Sequence, residues 1–304
     1  MNILVTGVTG YIGSRLAPRL RDDGHAVRGL SRGRGASPSG VEVIAGDAFS
    51  GAGLERAMDG IDVAYYLIHS METGSNGSLA SRERRCAENF ARATAAAGVP
   101  RGVYLGGLIP AGGPASAHLA SRLAVERVLQ AATPCPVALR ASIVIGAGSR
   151  PFRILVRLVE RMPVLVLPGW HSNRTRPIDE RDVIELLARA AISESACGDP
   201  LDAAGPEALS YGELIRRIRD HLLLDRPTVS FRSLTATPLV SRIASNLTGE
   251  EHELVGPLME SLRTDLLPRQ RTAEVVLGVK LHSLNAAIEH ALREWETAEP
   301  LAAR

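Results

Sequence analysis

The chain has 304 residues, enough for one large α/β unit or two small domains. A net charge of +2 asks for no nucleic acid or other polyelectrolyte partner, and 4% aromatic residues supply no stacking platform for single strands. Cys86, Cys135 and Cys197 stand at no metal-ligand or redox spacing. Their odd number fits free buried thiols in a reducing compartment. No apolar run reaches membrane-spanning length, and Met1 leads straight into a strand with no signal peptide before it. A cytoplasmic protein with no membrane partner is therefore expected.

Asn2-Ile3-Leu4-Val5-Thr6 is an apolar, β-branched run and reads as a buried strand. Ser14 to Asp23 follows as a helix, with Leu16, Ala17 and Leu20 on one face and Pro18 expected to kink it. Between them lies Gly7-Val8-Thr9-Gly10-Tyr11-Ile12-Gly13, a GxxGxxG spacing. Glycines at such a turn let the backbone approach a pyrophosphate, and the helix start offers it unpaired N–H groups and a positive dipole end. Gly7, Thr9, Gly10, Tyr11, Ile12 and Gly13 are thus expected to hold a dinucleotide.

Ala26 to Leu30 is the second strand. An acidic residue at its end would bond a ribose 2′-hydroxyl, and an arginine nearby suits a 2′-phosphate. The chain has Ser31-Arg32-Gly33-Arg34 and no acid before Glu42, so NADP(H) is expected over NAD(H), with Arg32 as main ligand and Ser31 in support. Val41 to Ile44 is the third strand, and Asp47 and Ala48 after it are placed for the adenine. Leu54 to Met58 is a short helix, and Val63 to Ile68 is a fourth strand apolar on both faces. Strand C-terminal ends border the ligand crevice of an open α/β sheet, which puts Leu67, Ile68 and His69 beside the cofactor. The Gly/Ser-rich stretch 73–78 reads as a loop over the crevice mouth.

A long helix from Ser81 to Ala97, a fifth strand over Gly102 to Leu105, a helix from Ala117 to Ala132 and a sixth strand over Val137 to Val144 continue the alternation. Such βα repeats predict a doubly wound parallel sheet of the Rossmann kind over residues 1–150. Gly106, Ala141 and Ile143 close the expected cofactor wall. Residues 151–304 read as a smaller, mostly helical substrate lobe, with about 178–204 returning to the core through a strand near Pro200 to Gly205. Helices are expected over Phe152 to Arg161, Asp182 to Ala191 and Leu284 to Trp295, short strands at Leu165 to Pro168 and Pro227 to Phe231, and a capping box at Ser210 and Glu213.

Several marks then agree: Thr6-Gly7-x-x-Gly10-x-x-Gly13, Gly46-Asp47, Leu139-Arg140 with Val144-x-Gly146, Pro177-Ile178 with Asp182-Val183, and Asp202 to Pro206 with Leu209-Ser210-Tyr211. Together they resemble the short-chain dehydrogenase/reductase superfamily in its extended and atypical branches. Tyr65 to Met71, Arg84-Arg85-x-Ala87-Glu88-Asn89 and Ser261-Leu262-Arg263-x-Asp265 are most similar to the NmrA-like NAD(P)H-binding, oxidoreductase-like members. The resemblance implies a Rossmann core and a bound dinucleotide, on which reductases, epimerases, dehydratases, lyases and redox sensors are all built.

The family chemistry uses a Ser or Thr after the fifth strand and Tyr-x-x-x-Lys on the next helix. Here Gly107 stands where the Ser is expected, and His118 and Arg122 take the i, i+4 positions. His118 is the expected proton relay, titrating near neutrality. Arg122 is the expected ribose- or phosphate-holding cation. Weaker candidates are His69 and Ser70, and His171, Arg174 and Arg176 for an anionic or phenolic substrate. Tyr65, Tyr66 and Tyr104 read as core, and Asn89 as structural. No metal-ligand cluster, Ser-His-Asp order or P-loop lysine is present in the sequence.

The leading expectation is an NADPH-dependent reductase of a small carbonyl or quinone-like compound, monomeric or homodimeric. The alternatives are an NADP-sensing protein without turnover, and a non-redox isomerase, dehydratase or cyclase.

Overall fold

The computed structural model describes residues 1–33, 38–68, 79–114, 116–230, 260, 262–269 and 271–301. Its centre is a seven-stranded sheet. β1 (Asn2–Thr6) pairs on one side with β2 (Ala26–Ser31), which pairs with β3 (Glu42–Ala45). On the other side of β1 follow β4 (Val63–Tyr66), β5 (Arg101–Gly107), β6 (Cys135–Ala141) and, at the edge, β11 (Leu201–Ala203). Every one of these pairings is parallel. The order reverses between β1 and β4, so the ligand crevice opens at the carboxyl ends of these two strands.

The strands bury alternate residues in opposite layers, as the period of two requires. Ile3 and Val5 face one way, with Leu16, Leu20, Leu186 and Leu187 from α1 (Tyr11–Asp22) and α6 (Glu180–Ala190). Leu4, Tyr66 and Tyr104 face the other way, with Met58, Phe90 and Val125 from α2 (Leu54–Met58), α3 (Leu79–Ala96) and α4 (Ala117–Gln130). A third layer belongs to the C-terminal lobe. There α5 (Arg150–Arg161), α7 (Tyr211–His221) and α9 (Leu284–Ala298) join Phe152, Val156, Leu214, Ile288 and Trp295 into one cluster. A shorter α8 (Ala273–Leu277) packs on α6.

Several local readings hold. Ser210 caps α7 by accepting from the Glu213 N–H at 3.1 Å. β13 (Thr228–Ser230) runs beside β8 (Leu165–Leu167), and β11 carries the chain back to the main sheet beside β6. Three readings are corrected. The sixth strand stops at Ala141, and the Ser142 N–H on the Ala203 carbonyl is the last bond of its ladder to β11. The chain then leaves the sheet as β7 (Val144–Ile145), which pairs with β10 (Ile178–Asp179). Helix α1 starts at Tyr11 rather than at Ser14 and runs through Pro18 to Asp22. Cys135 and Cys197 are not free thiols: they form a disulfide, their Cα atoms 4.9 Å apart. The Gly198 N–H on the Pro136 carbonyl holds the two segments together, a contact that a sequence separation of 62 residues conceals. Cys86 remains a buried thiol. Among the described residues no helix is long and apolar enough to cross a membrane.

Candidate active site

A cavity of about 760 Å³ runs along the carboxyl ends of the central strands and on under the C-terminal lobe. It gathers nearly all the positions singled out above. Gly7, Thr9, Gly10, Tyr11, Ile12 and Gly13 line one part; Ser31, Arg32, Asp47 and Ala48 a second; and Leu67, Ile68, Gly106, Ala141, Ile143, His118 and Arg122 the remainder. His69 and Ser70, the 73–78 loop, Arg34 and Ser261 lie outside the described residues.

The glycine turn is shaped by close backbone approach. Gly7 has φ +72°, and a Cβ there would sit 2.8 Å from the Leu67 carbonyl oxygen. A Cβ on Gly13 would overlap the Gly7 carbonyl. Gly10 caps α1 without a side-chain bond, and no acid occupies the first turn, so the helix start keeps its positive end toward the cavity. Beyond it, Ser31 is buried and accepts from the Gly33 N–H at 3.2 Å. Asp47 turns its own loop, accepting the Phe49 N–H at 3.1 Å. Asn89 is structural as read: its amide donates to the Ala48 and Phe49 carbonyls at 2.9 Å each and fixes that loop against α3.

Two side chains of α3 reach the same end, and the sequence reading missed both. Arg82 lines the cavity with its guanidinium 4.9 Å from the centre of the Phe49 ring, and Arg85 covers the same ring at 4.7 Å. Cys86 lies beside them, its thiol pushed up to about 11 by burial and by Asp47. Helical spacing of Arg82, Arg85 and Cys86 was the available signal. Nothing in the sequence showed that this face meets the loop after β3.

The positions expected to be catalytic differ from that expectation in their electrostatics. His118, half-buried at the start of α4, is held down to about pKa 4 by desolvation and by the Arg122 charge. It is a neutral imidazole at neutral pH, not the readily protonated relay expected. Arg122 is 4% exposed. It donates to the Leu105 carbonyl at 2.6 Å, lies 5.1 Å from the centre of the Tyr104 ring and stands 3.7 Å from the buried Glu83 carboxylate. The Ser121 hydroxyl donates to the same Glu83. Arg122 is thereby a buried ion-pair partner as well as a lining residue of the cavity, because packing of α3 on α4 brings an acid 39 residues upstream against it. Gly107 also acquires a reason: a Cβ there would press on the Leu119 side chain at 3.1 Å, so a serine is crowded.

His171, Arg174 and Arg176 do not line the cavity. His171 Nδ1 meets the Pro168 carbonyl, Arg174 pairs with Asp265, and Arg176 donates to the Gly205 carbonyl. The substrate role expected of them is withdrawn. Tyr65 donates to the Leu187 carbonyl and Tyr104 to the Arg122 carbonyl, as core tyrosines do. Glu180, His290 and Glu294 cluster closely, but Arg15 already pairs with both carboxylates.

The lobe side of the cavity is apolar, with Leu108, Leu119, Ile154, Leu155, Leu262 and Leu266 facing it. Ser149 and Arg150 at the start of α5 are the polar exceptions, and both were absent from the sequence reading.

Residues 3–191 match the model of the NAD dependent epimerase/dehydratase family. The chain belongs to this family. An uncharacterized protein of Mycobacterium tuberculosis (strain ATCC 25618 / H37Rv) is 29% identical over 251 residues, 81% of this chain. The chain spans only a quarter (25%) of that relative's length. A 2-alkyl-3-oxoalkanoate reductase of Stenotrophomonas maltophilia (strain K279a) is 29% identical over 72% of this chain and 74% of its own. Among solved structures, a nucleoside-diphosphate-sugar epimerase from Staphylococcus aureus superposes with a TM-score of 0.77 at 14% identity, over 95% of this chain and 100% of that one. UDP-glucose 4-epimerase from Thermotoga maritima gives 0.74 at 14% identity, over 98% and 99%. These superpositions show the fold. Members of the family use a nicotinamide dinucleotide, and the tight turn closed at Gly7 and Gly13, with the uncovered start of α1 behind it, fits its pyrophosphate.

Proposed function

We propose that this protein is an NADPH-dependent reductase of a small, largely apolar carbonyl or quinone-like compound. The observation that carries the reading is the two-part lining of one cavity. A glycine cradle with Ser31 and Arg32 lies at one end, and a leucine- and isoleucine-rich wall reached by His118 at the other. Apolar walls with few polar groups select a ligand whose burial removes apolar surface from water. The reductase from Stenotrophomonas maltophilia supports the same direction.

Ser31 and Arg32 bind the 2′-phosphate in this reading, and the glycine turn binds the pyrophosphate. The bound dinucleotide supplies the hydride. His118 holds the substrate oxygen through its neutral imidazole N–H, and the proton that completes the alcohol comes from water. Burial and the Arg122 charge keep His118 neutral, and Arg122, anchored on Glu83 and the Leu105 carbonyl, fixes α4 against β5.

The test is consumption of NADPH by purified protein offered a panel of alkyl ketones, enones and quinones, with product identified by mass. Turnover that is faster with longer apolar chains is expected. Tight NADPH binding with no turnover across the panel overturns the reading. That result would favour a dinucleotide sensor, a second reading motivated by the engagement of Arg122 in a buried ion pair where the family has a lysine.

A further inference from the structure

Four helices, α1, α3, α4 and α5, meet the cavity, and α5 does so by its first two turns. Arg150, Pro151, Ile154 and Leu155 all line it, preceded by Gly148 and Ser149. The segment is pressed onto the glycine turn. A Cβ on Gly148 would overlap the Tyr11 ring, and one on Gly146 would overlap the Tyr11 hydroxyl, which donates to Glu180. The start of α5 therefore lies against the start of α1, across Tyr11.

Three observations give this corner its chemistry. Ser149, the N-cap of α5, is 4% exposed, yet its hydroxyl makes no capping bond and no other hydrogen bond among the described residues, while the residue faces the cavity. The first turn of α5 holds no acid. Arg150 is exposed at the rim and in no ion pair among the described residues. The neighbouring cations are committed elsewhere: Arg15 to Glu180 and Glu294, and Arg122 to Glu83. A buried hydroxyl, a helix N-terminus and an uncommitted guanidinium converge where a doubly charged group on the glycine turn would lie.

We propose that the α5 start is a second wall of the dinucleotide site. The Ser149 hydroxyl and the Arg150 guanidinium bind the pyrophosphate from the side opposite the glycine turn. The proposal rests on the reading that a dinucleotide occupies the crevice. It makes Ser149 and Arg150 binding residues that act on the dinucleotide and not on the carbonyl compound.

Calorimetric titration tests it with three probes. NADPH and 2′-monophosphoadenosine 5′-diphosphoribose carry the pyrophosphate, and adenosine 2′-monophosphate lacks it. Arg150→Gln is expected to weaken the first two about tenfold and Ser149→Ala about threefold, with adenosine 2′-monophosphate unchanged and Arg150→Lys partly restoring affinity. Arg150 is exposed, so the melting temperature of Arg150→Gln should equal that of the wild type. Unchanged affinity of Arg150→Gln for both pyrophosphate probes overturns the proposal alone, and a change confined to the KM of a carbonyl substrate would assign Arg150 to that substrate. Wild-type protein that binds neither NADPH nor NADH overturns the dinucleotide reading and this proposal together. Should NADH prove the tighter ligand, ADP-ribose and adenosine replace the two fragments with the same expectations.

Discussion

The two walls of the crevice are built on different principles. The wall at β1 and α1 is mostly backbone: its shape comes from what Gly7 and Gly13 lack, and its charge from a helix start that no side chain covers. The wall at α4 is side chains in low dielectric, where burial and the Arg122 charge hold the His118 pKa down and Glu83 pairs with Arg122. A backbone site tolerates no added atom but is indifferent to pH. A side-chain site accepts other residue types at the same spacing, yet each replacement alters the charges around it.

The largest effect is expected on the side-chain wall. Arg122→Met leaves the Glu83 carboxylate buried without its cation and should cost about 3–5 kcal/mol in chemical denaturation. Adding Glu83→Gln should recover most of that loss. Equal stability of the single and double variants would show that the pair is not coupled.

On the backbone wall, Gly13→Ala places a methyl group against the Gly7 carbonyl and should weaken dinucleotide binding by about 100-fold or more. An unchanged fluorescence titration would remove the contrast between the walls.

A smaller change is expected from Arg32→Ala, about tenfold weaker for NADPH with NADH little affected. A parallel loss for both dinucleotides would place Arg32 away from the 2′-phosphate.

The finest distinction is in pH. His118 has its folded pKa held at about 4, below the ordinary 6.5. The unfolded chain therefore binds more protons between these values, so His118 contributes full stability above pH 6.5 and loses it as pH falls toward 4. His118→Gln should flatten the stability profile in that window, and wild-type kcat/KM should pass through pH 6.5 without a break. A break there would return His118 to an ordinary, solvated histidine.

This contrast also explains what the sequence made legible. Gly7, Gly10 and Gly13 announce themselves because no other residue fits a turn of that closeness, and alternating apolar runs announce the sheet. The i, i+4 pair of His118 and Arg122, mapped from the family's motif, lines the cavity. The lowered pKa of His118 and the ion pair of Arg122 were not legible, because the first follows from burial and the second from Glu83 arriving on α3, and no local pattern encodes either. The same holds for the Cys135–Cys197 bond, which joins segments 62 residues apart, and for the exit of the chain from the main sheet at Ser142. His171, Arg174 and Arg176 looked like a substrate clamp as a basic run, and the fold assigns them to backbone and Asp265 contacts. Ser149 and Arg150 carry no motif; only the contact of Gly148 with Tyr11 brings them to the site.

If one cavity joins a bound NADPH to an apolar carbonyl compound, hydride should pass between them inside it. Single-turnover mixing of protein loaded with nicotinamide-deuterated NADPH against a long-chain alkyl ketone tests it most directly. Loss of the reduced-nicotinamide absorbance is expected, with one deuterium on the new carbinol carbon. Loaded protein that retains its absorbance, or a product of unchanged oxidation level with no deuterium, would contradict it.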